Sequence, residues 1–180
     1  TYDYKRKLIS VEEALSKIKS DDCIVCALGA AEPNGLLEQL HTIAERVTNV
    51  AVCTCLPMRP FKWFMEPAMR GHFEHHAWFF SANIRKAAAE AHTSTYVPNH
   101  LHSAAFDRTL YRRPTVFIGS CTPPDRHGYV SLAFSVVYER ELLEVADLVI
   151  LEINDQVPHT WGDTVIHLDM VDHVIDHSMP

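Results

Sequence analysis

The sequence contains no long hydrophobic segment. Its longest apolar stretch without a charge, near residues 148–151, is far shorter than the roughly 20 residues that a helix needs to cross a bilayer. Residues 1–7 carry charges, and no apolar stretch of signal-peptide length follows them. We therefore expect no membrane span, no membrane partner and a location in the cytoplasm.

Positive charge is scarce as well. Sixteen basic residues stand against 23 acidic residues, which gives a formal net charge of −7. A chain with this balance repels polyanions unless a local basic patch overrides it, so we expect no nucleic-acid partner. The clearest basic cluster, Arg108, Arg112 and Arg113, is interpreted as the solvated edge of a loop.

Cysteine and histidine do not form the patterns typical of disulfide or metal sites. The cysteine count of 5 is odd, and every cysteine lies in an apolar run, which favours reduced and buried thiols. Cys23 and Cys26 form a C-x-x-C within a strand-like run, whereas the redox motif opens a helix. The 12 histidines include no H-E-x-x-H, so we expect no metal site, although a metalloprotein stays open as a third interpretation.

Two further catalytic signatures are missing. The absence of G-x-G-x-x-G argues against a Rossmann dinucleotide site, and the absence of G-x-S-x-G argues against a serine hydrolase. The composition is 47% hydrophobic and 22% charged, which is typical of a soluble folded domain. A length of 180 residues suits one domain of ordinary size.

Helical and strand patterns alternate along the chain. Ser10 and Glu13 form a capping box, which predicts the start of a helix. A strand over residues 23–28, a helix over 36–47 and a strand over 49–55 then form a βαβ unit, which is typical of a mainly parallel sheet. Residues 56–71 combine prolines with large aromatic side chains and predict a packed loop.

The later elements continue this alternation. The patterns predict strands over residues 72–80, 96–98, 116–121, 129–134, 148–153 and 164–168, and helices over residues 83–91 and 138–146. The predicted fold is therefore α/β, an open parallel or mixed sheet with helices on both faces, in one domain over residues 1–180.

Polar loops follow four of the predicted strands, at the edge where open α/β sheets bind their ligands. They cover residues 29–34, 97–102, 122–128 and 154–162. The third loop leads into Tyr129 and Ser131, which are predicted to be exposed, although a hairpin turn without a ligand is an equal alternative. For the turn that begins at Asn154, a binding site and a structural turn both remain open.

The same loops carry a resemblance to a known family. Residues 152–158, with sequence E-I-N-D-Q-V-P, are followed by Gly162–Asp163–Thr164 and resemble a segment of the 4-hydroxybutyrate CoA-transferase and acetyl-CoA hydrolase-transferase family. Residues 123–132, P-P-D-R-H-G-Y-V-S-L, are similar to another loop of that family, with Ala133 where glycine is usual. Ala31–Glu32–Pro33 and Tyr96–Val97–Pro98 match in order, so the resemblance spans the chain.

The resemblance implies the amino-terminal domain of a subunit built from two similar α/β halves. In that family a glutamate of the carboxyl-terminal half, here expected beyond Pro180, forms a glutamyl-CoA thioester and hands CoA to a second acid. The implied partners are an acyl-CoA, small carboxylic acids, the carboxyl-terminal half of the same polypeptide and further copies of the chain in a homodimer. CoA is a substrate, and no cofactor is implied.

The resemblance also implies a set of substrate-binding residues and no catalytic residue in this chain. The implied set is Glu32, Pro33, Asn99, His100, Pro124, Asp125, His127, Gly128, Ser131, Asn154 and Gln156. Glu32 is interpreted as lining or positioning the active site, and Glu152 as a structural carboxylate that accepts hydrogen bonds. An acetyl-CoA hydrolase and a ligand-binding or assembly module without catalysis remain the alternatives, and the acyl specificity is open.

Overall fold

The computed structural model describes residues 3–179, so the predictions that involve Thr1, Tyr2 and Pro180 lie outside the described residues. The helices are Val11–Ser16 (α1), Asn34–Gln39 (α2), Lys62–Met65 (α3), Ala82–Glu90 (α4), Ala104–Tyr111 (α5) and Glu139–Val145 (α6). The strands are Cys23–Cys26 (β1), Val50–Thr54 (β2), Phe73–Ala77 (β3), Ser94–Tyr96 (β4), Val116–Cys121 (β5), Tyr129–Ser131 (β6), Leu148–Ile153 (β7), Val165–His167 (β8) and His173–Asp176 (β9). Short 3₁₀ segments join several of these elements.

The main sheet has seven strands in the order β4-β3-β2-β1-β5-β7-β9. All of its neighbouring strands pair in parallel. β6 and β8 form a separate antiparallel pair. The predicted α/β fold is therefore confirmed, with a main sheet that is parallel rather than mixed.

Helices cover both faces of the main sheet, as predicted. α5 and α6 pack on one face, where Phe117 and Leu142 belong to one hydrophobic core. α1, α2, α3 and α4 pack on the other face, where Leu37 and Trp63 belong to a second core. Because the central strands are covered on both sides, β2 and β5 consist of buried residues throughout, which explains why their sequences are mainly apolar.

Several local predictions agree closely with the structure. The strands over residues 116–121 and 148–153 have the predicted bounds. One of the two bonds of the predicted capping box is present, since the Ser10 hydroxyl accepts a hydrogen bond from the Glu13 amide at 3.0 Å. The predicted helix over residues 36–47 starts earlier, at Asn34, and continues as the 3₁₀ segment Leu40–Arg46. The packed loop over residues 56–71 contains the short helix α3.

Helix α5 and strand β9 were not predicted. In α5 only Ala104 is buried, while Phe106, Leu110 and Tyr111 are 69%, 62% and 78% exposed. The apolar side chains of this helix therefore point away from the sheet, and Arg108 lies half-buried within it. The interpretation of Arg108 as part of a solvated loop edge is wrong, because the chain there is helical and packs on the sheet.

The cysteines agree with the prediction from their apolar surroundings: all five are buried and free. No helix within residues 3–179 is long and apolar enough to cross a bilayer. Within the same described range, no three side chains of histidine, cysteine, aspartate or glutamate gather as a potential metal site.

Candidate functional site

The order of the strands creates a crevice at the carboxyl edge of the main sheet. β1 lies between β2 and β5, so the chain leaves the ends of β1 and β5 toward opposite faces, as in other doubly wound sheets. The Ser120 hydroxyl donates to the Ala31 carbonyl at 2.9 Å, and the Asn154 amide donates to the Cys121 carbonyl. The turns after β1, β5 and β7 therefore lie side by side.

Glu32 lies in the turn after β1 and is buried, with 4% of its surface exposed. Its two carboxylate oxygens accept from the Met58 amide at 3.2 and 3.3 Å, which joins this turn to the one after β2. Burial raises the pKa of Glu32 from 4.5 to about 7, against the opposing effects of the Met58 amide and Arg59. The carboxyl group is therefore largely removed from solvent and is partly protonated near neutral pH.

Glu152 lies at the end of β7 and is also buried. Its Oε1 accepts from the Gly35 amide at 3.1 Å, and its Oε2 accepts from the Leu36 amide at 3.2 Å. Burial raises the pKa of Glu152, and these two amides act against that shift. The predicted structural role is confirmed, because both oxygens hold the first turn of α2. Pro33 has an extended backbone and directly precedes α2.

Gly35 provides a test of this packing. Helix propensity alone favours alanine over glycine by about 1 kcal/mol. A Cβ at this position would lie 2.9 Å from His177 Cγ and 3.0 Å from Glu152 Oε2. We expect Gly35→Ala to lower the free energy of unfolding by about 1–3 kcal/mol, because overpacking outweighs propensity. Urea denaturation measures the change.

The matched control for Gly35→Ala is Gln39→Ala, since Gln39 is exposed on the same helix. That substitution is expected to change the free energy of unfolding by no more than about 0.5 kcal/mol. A Gly35→Ala protein as stable as the parent would contradict the close packing of α2 on Glu152.

The loop after β5 is organised by Asp125. Its Oδ1 accepts from the amides of His127 at 2.8 Å and Tyr129 at 2.9 Å, and these amides, Tyr129 first, hold its pKa below the usual range. Gly128 has a φ of +95°, which favours glycine at this turn. β6 pairs with β8, and the Asp125 amide donates to the Tyr129 carbonyl at 2.9 Å across the turn, so the binding and the structural alternatives for this loop both stay open. His127 is exposed, whereas Pro124 is half-buried.

Ser131 is buried, so the prediction that it is exposed is wrong. Its hydroxyl oxygen accepts from the amides of Thr160 and Ala133, each at 3.1 Å. The segment around Thr160 covers β6, and the sequence around Ser131 gives no sign of this contact because Thr160 lies 29 residues further along the chain. Tyr129, by contrast, is exposed as predicted.

Asn154 closes the turn after β7. Its Oδ1 accepts from the amides of Gln156 at 2.9 Å and Met179 at 3.2 Å, and its Nδ2 donates to the Met179 carbonyl. These contacts favour the structural alternative for Asn154. Gln156 remains exposed and donates to Asp155 at 2.7 Å.

A cavity of about 560 Å³ lies between α5 and the loop after β4, and neither Glu32 nor Glu152 lines it. Its lining residues are Trp78, Tyr96, Val97, Pro98, Asn99, His100, Ala104, Asp107, Arg108 and Tyr111. Of the residues implied by the resemblance, only Asn99 and His100 line it. Sequence reasoning did not identify Trp78 or Arg108 as part of a site, because α5 was not predicted.

A doubly wound parallel sheet with polar turns at its carboxyl edge and a cavity beside one of them places the chain in the class of α/β domains that typically bind ligands at that edge. The chain belongs to the family described as the acetyl-CoA hydrolase/transferase N-terminal domain, which matches residues 1–180.

Individual relatives agree with this family. Succinyl-CoA:cyclohexane-1-carboxylate CoA transferase of Geobacter metallireducens is 29% identical over 178 residues, which are 99% of this chain and 40% of that protein. The 4-hydroxybutyrate coenzyme A transferase of Clostridium kluyveri is 30% identical over 98% of this chain and 41% of its own length. The crystal structure of RipA from Yersinia pestis superposes with a TM-score of 0.88 at 26% identity, covering 98% of this chain and 43% of RipA. The chain thus spans about two fifths of the length of these relatives.

Proposed function

We propose that this chain is the amino-terminal part of a CoA-transferase that moves CoA from an acyl-CoA to a carboxylic acid. The observation that carries the proposal is the family match over residues 1–180. The names of the relatives support transfer between acyl-CoAs and acids, since one is named for 4-hydroxybutyrate and another for butyryl-CoA and acetate. CoA acts as a substrate, and the proposal includes no other cofactor.

The proposed chemistry uses a glutamate outside this chain. That carboxylate attacks the acyl-CoA carbonyl, the CoA thiolate leaves, and the thiolate then attacks the glutamyl carbonyl of the resulting anhydride and releases the first acid. The second acid reverses these steps and departs as the new thioester. Neither Glu32 nor Glu152 is placed to act as the nucleophile, because both carboxylates are buried and accept backbone hydrogen bonds.

The proposed role of this chain is to form one wall of the active-site cleft. The carboxyl-terminal half of the same polypeptide supplies the other wall. The outward apolar side chains Phe106 and Leu110 support a covering partner, since proteins seldom leave such side chains clustered in water. We further propose a homodimer in the cytoplasm, a location with which five free cysteines agree.

The test compares the full-length protein with residues 1–180 alone, using acetyl-CoA and butyrate and chromatography of the CoA esters. The full-length protein is expected to form butyryl-CoA, and mass spectrometry of the trapped intermediate should place CoA on a glutamate outside this chain. Residues 1–180 alone should form no product. Transfer by these residues alone, or a reading frame beyond Pro180 without a glycine-rich loop and a glutamate, would overturn the proposal.

An acetyl-CoA hydrolase is the second candidate, because the family description names both activities. In a hydrolase, water instead of an acid attacks the glutamyl thioester. Release of free CoA at the same rate with and without butyrate would favour this candidate over the transferase.

A further inference from the structure

Arg108 has an unusual environment for a cation. It is half-buried in α5, and its Nη1 lies 3.5 Å from the Cys53 sulfur. Its Nε is buried and has no hydrogen-bond partner. Between residues 3 and 179, no carboxylate forms an ion pair with Arg108, and the adjacent Asp107 accepts from the Ser103 hydroxyl at 2.9 Å.

An unpaired guanidinium N–H that is removed from water is unfavourable. Native proteins leave few buried donors unsatisfied, and a water, an ion or a ligand bound at the guanidinium would supply an acceptor. Guanidinium groups bind carboxylates with two parallel hydrogen bonds. Arg108 differs from the exposed arginines of the chain because its guanidinium is half-buried.

The cavity beside Arg108 has the size and lining of a small-molecule site. Its volume of about 560 Å³ exceeds that of a lone inorganic ion and falls within the range of about 300–1,000 Å³ typical of ligand pockets. Trp78, Tyr96 and Tyr111 provide aromatic walls, and Asn99 provides an amide. The cavity therefore combines one cationic group with a mainly apolar surface.

We propose that this cavity binds a carboxylic acid with an apolar body, with its carboxylate on Arg108 and its carbon skeleton against Trp78 and Tyr111. The charge of the site favours such an acid over the phosphate end of CoA. Within residues 3–179, Arg108 is the only lysine or arginine that lines the cavity, so the site offers one positive charge, which suits a single carboxylate better than the several charges of a polyphosphate. The inference rests on the proposed function only in taking the acid to be a substrate.

The binding experiment uses the full-length protein and titration calorimetry with cyclohexanecarboxylate, acetate, succinate and 3′-phosphoadenosine 5′-diphosphate. Cyclohexanecarboxylate should bind most tightly. Arg108→Gln should weaken its binding by roughly 10- to 100-fold, the loss typical of one charged hydrogen-bonded pair. Arg108→Lys should restore part of the affinity, because it keeps the charge without the planar fork.

Two variants separate binding from folding. Arg112→Gln is the matched control, since Arg112 follows the same helix but does not line the cavity, and it should bind like the parent. Tyr111→Ala changes a side chain that is largely exposed, so the fold is preserved. It should weaken the binding of cyclohexanecarboxylate several-fold and leave the binding of acetate unchanged.

The outcomes distinguish this inference from the proposed function. If the protein transfers CoA and Arg108→Gln changes the binding of none of the acids, the inference fails while the proposed function stands. If the protein transfers no CoA but binds the acid through Arg108, the inference stands and the proposed function fails. Arg108-dependent binding of 3′-phosphoadenosine 5′-diphosphate without binding of any acid would overturn the assignment of a carboxylic acid.

Discussion

Replacing Glu32 with glutamine is expected to raise the free energy of unfolding by about 3 kcal/mol at pH 8 and to change it little at pH 4.5. Burial raises the pKa of Glu32 from 4.5 to about 7, so the folded protein binds more protons than the unfolded chain between these values. The contribution of Glu32 to the free energy of unfolding is fully present below pH 4.5 and is lost as the pH rises through 7. Glutamine has no charge to lose and can still accept from the Met58 amide.

The measurement is urea denaturation of the parent and of Glu32→Gln from pH 4.5 to 8. Taking the difference between the two proteins removes the effect of other buried groups, such as His75, whose pKa is lowered to about 3 mainly by burial. The control is Glu38→Gln, which changes an exposed carboxylate that pairs with Arg59. A difference between parent and Glu32→Gln that does not vary with pH would show that Glu32 does not titrate in this range.

Replacing Glu152 with alanine is expected to lower the free energy of unfolding by about 3 kcal/mol. The substitution removes the acceptor of two buried amides, those of Gly35 and Leu36, and leaves a cavity at the start of α2. Each unsatisfied buried donor costs about 1–3 kcal/mol, which outweighs the relief of no longer burying a carboxylate.

Two further variants grade the effect of Glu152→Ala in the same denaturation experiment. Glu152→Gln keeps one acceptor oxygen but turns an NH₂ group toward the second amide, so its loss of stability should be intermediate. Ser120→Ala removes one neutral hydrogen bond at the same edge of the sheet and should cost about 1 kcal/mol. If Glu152→Gln is as stable as the parent, acceptance by both oxygens does not hold α2.

Some features were predictable because their cause is local. The central strands β5 and β7 are mainly apolar, since a parallel sheet covered on both faces has no solvent side. The start of α1 follows from Ser10 and Glu13, which lie three residues apart. Glu152 could be identified as structural because a carboxylate at the end of a buried strand needs donors nearby.

The candidate site was predictable only in part. The polar turns at the carboxyl edge were predicted from the ends of apolar runs, and the structure places Glu32, Asp125 and Asn154 in such turns. Their partners were not predictable, since Met58, Tyr129 and Met179 contact them through backbone groups that have no sequence pattern. The buried state of Ser131 likewise depends on Thr160, which lies in a distant loop.

The sequence by itself determined the α/β alternation, the reduced cysteines, the family and the loops that face one edge of the sheet. Only the tertiary structure decided that α5 turns its apolar side chains outward and brings Arg108 next to Cys53, with a cavity beside it. Periodicity records which side of an element is apolar, and it predicts burial only where the apolar side faces the core. Across α5 that condition fails, so the cavity and its unpaired cation depend on contacts between residues far apart in the chain.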